Sequence, residues 1–410
     1  MPAIPACAIR LSGLFFAVAL STSLHATDLR VYDHDPFATA RAGAFAATAD
    51  EPSAIYYNPA GITQLKGHQT RSGMFIATGQ THFESPTGEE VDSKYGVTPI
   101  PYFFYTYSPD TLPLSFGIGL YVPYGNAIEW PENSAFRATT AKLTYLSVNP
   151  VVAWKAHPTL SVAAGPSFNY ARTTLKQRLF STTLFPPGGR LEFKGDDTDF
   201  GYTGGILWQP HPKHSFGFSY HSATTMEFEG HSETSGADAA GVPSLRQSAS
   251  ARFHFSQFIK GGWSFRPTPS WNFEFDVDWT DWGQLDSVTL EQDVNPATIP
   301  FNWRSSFCYS LGATRYLANG WRVSAGYAFC ENAVPDRNFN PIVPDRDLHV
   351  VTVGVGKKGR KWSWELAYLF GYGPDREVSN NSLVFPIGSS ANGTYRTLFN
   401  SVNAAIGYHF

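Results

Sequence analysis

The residues that could carry chemistry fall into three small groups. The first is an acidic ladder, Glu274, Asp276 and Asp278, with Lys260 on the preceding segment. Carboxylates two apart share one face of a strand. They could serve as acid–base groups or, with Lys260, as cross-strand ion pairs. A turn centred near Thr268 sets Lys260 opposite Asp276, and Lys260 could alternatively receive an anionic headgroup. The second group is Cys308 and Cys330, on inward faces of neighbouring segments, either disulfide-bonded or as two free thiols. The third is His211 and His214, whose short turn suits solvation better than a metal. There is no Gly-x-Ser-x-Gly and no compelling Ser–His pair, so a hydrolase is disfavoured. No enzyme, metal or cofactor is expected.

What positions these residues is a repeated alternation. From 271 to 279 the odd positions Trp271, Phe273, Phe275, Val277 and Trp279 are apolar, and the even positions Asn272, Glu274, Asp276 and Asp278 are polar. Such a strand has one greasy face and one wet face. Fourteen period-2 runs occur, at about 69–83, 95–108, 114–126, 142–156, 160–176, 199–209, 214–229, 249–266, 270–288, 302–316, 321–330, 346–356, 361–372 and 394–410. Their connections alternate without exception between short (109–113, 157–159, 210–213, 267–269, 317–320, 357–360) and long (84–94, 127–141, 177–198, 230–248, 289–301, 331–345, 373–393). Short turns at one rim and long loops at the other are the rhythm of an up-and-down membrane barrel, whereas a soluble sandwich has no reason to obey that parity. The expected fold is all-β: a 14-stranded antiparallel transmembrane barrel in a Gram-negative outer membrane.

Composition agrees. Aromatic residues make up 15% of the chain and charged residues only 16%, which suits a surface showing rings to lipid. After residue 26 no run of eighteen apolar residues suggests a membrane helix. Residues 1–26, with Arg10 ahead of an apolar run from Leu11 to Leu20, read as a signal peptide, and Cys7 precedes that run instead of marking a lipoprotein cleavage site. Removing this segment takes one Arg and no acid, leaving 29 basic against 34 acidic residues. No basic tract tracks a nucleic-acid backbone, so nucleic acid is not a partner.

Residues 27–67 are not strand-like. They are rich in small residues and contain Asn58-Pro59-Ala60. A lumen of fourteen strands needs water or a plug, so this segment is expected to be a hatch, with 68–410 forming the barrel. In the third strand, Pro123-Tyr124-Gly125 supplies a missing donor and a bend. The second strand is apolar on both faces, so one set, Tyr102 and Phe104 being the candidates, lines the lumen. The third long loop carries apolar Phe180, Leu184 and Phe185, with Arg172 and Arg178 near its base.

The chain resembles the FadL-type outer-membrane transporters of long-chain fatty acids, which include the TodX-type importers of aromatic hydrocarbons. The resemblance rests on Ala40-Arg41-Ala42-Gly43, Asn58-Pro59-Ala60, Tyr170-Ala171-Arg172, Val334-Pro335, Ile342-Val343-Pro344-Asp345-Arg346 and the terminal Phe410. It implies a hatch at Asn58, Pro59 and Ala60. It also implies lateral release through a kinked third strand and hydrophobic capture at Phe180, Leu184 and Phe185. Barrel assembly machinery would read Phe410, and outer-membrane lipid and lipopolysaccharide would surround a monomer. The family's basic position after its Tyr-Ala motif falls on Gln177, with Arg178 beside it, which weakens the expectation of fatty acid over hydrocarbon cargo. A general porin, or an adhesin or structural barrel, is the alternative.

Overall fold

The computed structural model describes residues 29–132, 134, 136, 138–178, 189–236, 244–294, 296–379 and 391–410. The segment 1–26, expected to be a signal peptide, and Phe180, Leu184 and Phe185 lie outside the described residues.

One antiparallel sheet closes on itself as fourteen wall strands. In chain order they are β1 (Gly67–Glu84), β2 (Gly96–Ser108), β3 (Leu114–Tyr121 continued by Gly125–Glu129), β4 (Ala138–His157), β5 (Leu160–Arg178) and β6 (Arg190–His211). Next come β7 (His214–His221 and Thr224–Ser235), β8 (Leu245–Phe255 and Phe258–Thr268), β9 (Trp271–Thr280 and Ser287–Gln292) and β10 (Ala297–Pro300 and Ser306–Tyr316). The last four are β11 (Trp321–Cys330), β12 (Leu348–Lys358), β13 (Trp362–Tyr372 and Arg376–Val378) and β14 (Gly393–His409). The first strand closes the barrel on the last, from Gln69 opposite His409 to Glu84 opposite Thr394. Closure leaves neither the first nor the last strand as a free edge for lipid to meet.

The alternation that defines each strand also orients it. Trp271, Phe273 and Phe275 are exposed on the outer face while Asn272, Glu274, Asp276 and Asp278 are buried inside. On β13 Trp362, Trp364, Leu366, Tyr368, Phe370 and Tyr372 are all exposed. Apolar exposure on this scale would be unusual in water and is ordinary against acyl chains. The six short connections lie together at one rim. Between β10 and β11 Asn319 and Gly320 both take positive φ, 58° and 77°, the geometry an Asn-Gly hairpin turn is suited to.

Several strands far exceed the ~9–11 residues that cross a bilayer; β6 has 22. Their outer ends therefore stand clear of the membrane. At that transition β7 breaks at Ser222 and Ala223, β8 at Ser256 and Gln257, β9 at 281–286 and β10 at 301–305. Each break in β7 and β8 spaces successive inward residues by three (His221 to Thr224, Phe255 to Phe258), so the face inverts. Arg252 and His254, expected on the inner face with Lys260, therefore point outward, and Phe255 is fully buried in their place. Arg304, expected inward, is exposed in the β10 break.

Residues 29–65 are almost wholly buried. They contain two single-turn helices, Pro36–Thr39 and Ala54–Tyr57, and a 3-10 helix, Pro59–Gln64.

Candidate functional site

The acidic ladder of β9 is where this N-terminal segment meets the wall. Asp276 Oδ2 accepts the backbone N–H groups of Phe45 and Ala46 at 2.9 and 3.0 Å. Glu274 accepts those of Ala47 and Thr48 at 2.7 and 3.0 Å, and pairs with Arg41 at 3.0 Å. Asp278 holds both terminal nitrogens of Arg30, at 2.6 and 3.2 Å. Lys260 stands opposite Asp278, at 3.4 Å, and Gly262 stands opposite Asp276. The expected Lys260–Asp276 pair is thus displaced by two residues, because the β8–β9 turn is tighter than assumed and carries a bulge between Phe265 and Thr268. The ladder is spent largely on the N-terminal segment, as buried charge requires paired and hydrogen-bonded partners.

A second cluster lies towards the short-turn rim. Arg71 is paired with Asp35 and with Glu365, the latter at 2.6 Å; Arg322 pairs with Glu365 and with Glu51, the latter at 2.9 Å. Lys358 adds a contact to Glu51 at 3.5 Å. Burial would raise the Glu51 carboxyl, but Lys358, Arg322 and Arg71 together hold it well below the usual carboxylate range. Small wall residues permit the close approach. A Cβ on Gly217 would overlap the Ala46 carbonyl, and one on Gly326 the Arg41 carbonyl carbon. Asn58 donates its amide to Ala46 O and Ile206 O at 2.7 and 3.0 Å and accepts from Ala60 N–H, while Pro59 opens the 3-10 helix. Asn58, Pro59 and Ala60 are all fully buried.

The wall is incomplete at β3. Its pairing with β2 ends at Phe103 opposite Leu120. Its pairing with β4 slips by one between Tyr121 opposite Ser147 and Gly125 opposite Thr144. Pro123 and Tyr124 lie in that interruption, Gly125 resumes the pairing with β4, and residues 29–31 bridge it from inside. Val31 donates to Pro123 O and Gly125 donates to Leu29 O, each at 2.9 Å. Between β2 and the displaced end of β3 lies a cleft of about 360 Å³, lined by Thr98 to Pro101 on one side and Val122, Gly125, Asn126 and Ala127 on the other.

Two larger apolar cavities flank residues 29–31. The outer one, with about 710 Å³ of atom-free space that includes open solvent, is lined by Leu29, Leu143, Phe193, Phe228, Phe253 and Phe301, with Ile342 and Val343 of the loop after β11. It shares Asn126 and Leu143 with the wall cleft. The inner one, about 830 Å³ of atom-free space, is walled by Phe75, Leu348, Val350, Leu369 and Phe399 and ends at Arg30, Asp33, Lys260 and Asp278. Burial pushes Asp33 up to about 6, with a Thr39 hydrogen bond and Lys260 opposing.

Other expected site residues are dispersed. Tyr102 and Phe104 do point inward, but they pack beneath the N-terminal segment: Tyr102 donates to Asn403 Oδ1 at 2.6 Å and Phe104 stacks on Tyr121 at 6.0 Å. Arg172 is exposed, and Arg178 donates to the Glu132 carbonyl at 2.6 Å. Cys308 and Cys330 are opposite one another and joined by a disulfide that lines the inner cavity. Among the described residues no cluster could hold a metal ion. Residues 29–31 and the cavity role of Ile342 and Val343 were not foreseen. Apolar residues flanked by Pro341 and Pro344 in a long loop were the available signal. Asn126 and Trp130 donate to Ile342 O and Pro341 O at 2.9 Å, folding that loop inward.

Residues 17–367 match the family described as outer membrane protein transport protein (OMPP1/FadL/TodX). The protein NMB0088 of Neisseria meningitidis serogroup B is 26% identical over 385 residues, covering 81% of this chain and 82% of that protein. A long-chain fatty acid transport protein of Escherichia coli O6:H1 is 22% identical over 350 residues, covering 75% and 78%. Among solved structures, a Pseudomonas aeruginosa FadL homologue superposes with a TM-score of 0.82 at 19% identity, covering 93% of this chain and 99% of that one. The Pseudomonas putida toluene transporter TodX gives 0.71 at 18%, covering 93% and 98%. The chain belongs to the OMPP1/FadL/TodX family of outer-membrane transport proteins.

Proposed function

We propose that this protein imports hydrophobic small molecules passively, long-chain fatty acids fitting best, with residues 29–65 acting as a hatch and the β2–β3 cleft as a lateral exit. The observation that carries this reading is the shared lining of the outer cavity and the cleft at Asn126 and Leu143. An apolar molecule entering among Phe193, Phe228 and Ile342 meets the cleft without crossing water. Its own partition into lipid drives the step. Straight passage is closed by the ion-paired N-terminal segment.

Residues 29–31 separate the outer cavity from the inner one. Their bridge to β3 rests on two backbone hydrogen bonds, each worth roughly 1 kcal/mol net, so cargo binding can shift it. Lys260 at the end of the inner cavity suits a carboxylate, and curated relatives are named long-chain fatty acid transport proteins. Aromatic hydrocarbon is the second reading, favoured by the Lys260–Asp278 pair, which already neutralises the cation.

The test is uptake of labelled oleate and labelled toluene by a gene-deletion strain carrying an empty vector or the wild-type gene. Restored oleate uptake supports the first reading and restored toluene uptake the second. Equal uptake of both labels with and without the gene rejects transport.

A further inference from the structure

We infer that Pro99 and Pro101 of β2, more than Pro123 of β3, keep the wall unzipped at the cleft. The inference rests on reading that cleft as the exit. Pairing of β2 with β1 is continuous from Gly79 opposite Gly96 to Gly67 opposite Ser108, passing through Ile76 opposite Pro99 and Met74 opposite Pro101. Residues of a strand bond alternately to its two neighbours, and proline has no N–H to give. The bonds to β1 therefore come from Thr98, Ile100, Tyr102 and their even-numbered successors. The odd-numbered residues turn their backbone groups towards β3.

On that side Tyr107, Tyr105 and Phe103 pair with Phe116, Ile118 and Leu120, and the ladder then stops. Continued in the same register, the next two bonded positions would set Pro101 against Val122 and Pro99 against Tyr124. Both missing rungs are the ones whose donors proline has removed. Pro123 has the opposite role. Leu120 bonds to β2, so Tyr121 turns its backbone groups towards β4, whereas Pro123 gives its carbonyl to Val31, and between the two the register slips from Tyr121–Ser147 to Gly125–Thr144. One proline displaces β3 and two others stop β2 from recapturing it.

The membrane gives this arrangement its value. A backbone N–H left without a partner in hydrocarbon is costly, which is why barrels close. Pro99 and Pro101 leave no such donor on the β2 edge. An opening framed by them can persist beside lipid, whereas one framed by Val or Ile would be driven to zip.

The experiment is the double variant Pro99→Val/Pro101→Val, with strand-forming side chains and restored donors. Folding is read from the heat-dependent gel shift of the outer-membrane protein. The expected result is protected amides at positions 99 and 101 in hydrogen exchange, with oleate uptake lowered about tenfold or more, the factor that about 1.4 kcal/mol of added closure sets. Should the double variant not fold, Pro101→Val alone, next to the last intact rung, is read the same way. Freely exchanging amides with wild-type uptake overturn the inference. A separate protein, Ile100→Cys/Ala127→Cys bridged by a short bismaleimide in a Cys308→Ser/Cys330→Ser background, tests the exit itself. If bridged protein still transports, the exit reading fails and takes this inference with it. If bridging stops transport while the proline variants transport normally, the exit stands and the assignment to Pro99 and Pro101 alone is wrong.

Discussion

Glu274→Gln isolates the link between the wall and the buried N-terminal segment, because Gln keeps the shape and removes the charge. Glu274 is the carboxylate that Arg41 contacts, and it also receives the N–H groups of Ala47 and Thr48. Arg41 retains Thr314 Oγ1 at 2.8 Å and Asn272 Oδ1 at 3.2 Å, but both are neutral. Removing one member of a buried ion pair costs about 3–5 kcal/mol. The amide NH2 of Gln also faces donors on at least one side, adding about 1–3 kcal/mol for an unsatisfied group. The barrel ladders are untouched, so the loss falls on the N-terminal segment. At about 1.4 kcal/mol per factor of ten, even a 4 kcal/mol loss raises its opening by nearly a thousandfold. Hydrogen exchange of the Phe45 to Thr48 amides in detergent should accelerate by that order, while amides of β9 and β10 keep their rates. Unchanged protection at residues 45–48 would refute the claim that the acidic ladder holds the N-terminal segment.

Four further outcomes follow from the same geometry. Gly217→Val and Gly326→Val, which intrude on Ala46 and Arg41, should leave a heat-modifiable barrel but make residues 29–65 accessible to protease; protease resistance equal to wild type would contradict the packing. Phe228→Asp should lower cargo capture without loss of inserted barrel, because Phe228 lines the outer cavity. Phe218→Arg, on the lipid face of the same strand, should reduce barrel stability by up to about 2–4 kcal/mol; equal unfolding midpoints for the two variants would exclude the face inversion. Alkylation without reductant should find no free thiol on Cys308 or Cys330, and Cys308→Ser/Cys330→Ser should lower stability by about 3 kcal/mol for a loop of this length. Finally, protonating Asp33 removes a negative charge beside Lys260. Binding of a long alkyl sulfonate, ionised throughout, should therefore strengthen as pH falls through about 6, and Asp33→Asn should flatten that dependence.

Much of the wall was legible from the sequence because lipid on one side enforces alternation. Fourteen strands, their parity of loops and the lipid face of Trp271, Phe273 and Phe275 all follow from it. Register was not legible. A ladder centred one residue later than Thr268 was enough to move Lys260 from Asp276 to Asp278, and the bulge that helps set that centre carries little compositional signature. The contacts of the N-terminal segment were also hidden. They join residues more than two hundred positions apart, such as Arg41 with Glu274 and Arg30 with Asp278, and no local pattern reports such distances.

The face inversion shows why periodicity misleads where the surroundings change. Along β7 the large apolar residues stay on even positions, yet Phe216, Phe218 and Tyr220 face outward while Met226 and Phe228 are buried in the lumen. Along β8 the odd positions do the same in reverse chain direction: Phe253 and Phe255 turn inward, Trp263 and Phe265 outward. Below the breaks lipid is outside, so the apolar face must look out. Above them water is outside and the apolar face must look in. The breaks at Ser222–Ala223 and Ser256–Gln257 reconcile the two demands by turning the strand over. A continuous period-2 pattern therefore describes two different solvents, and the residues at the inversion mark where a greasy outer wall becomes a greasy lumen. That change of sides gives hydrophobic cargo an apolar surface inside the barrel at the height where it leaves water.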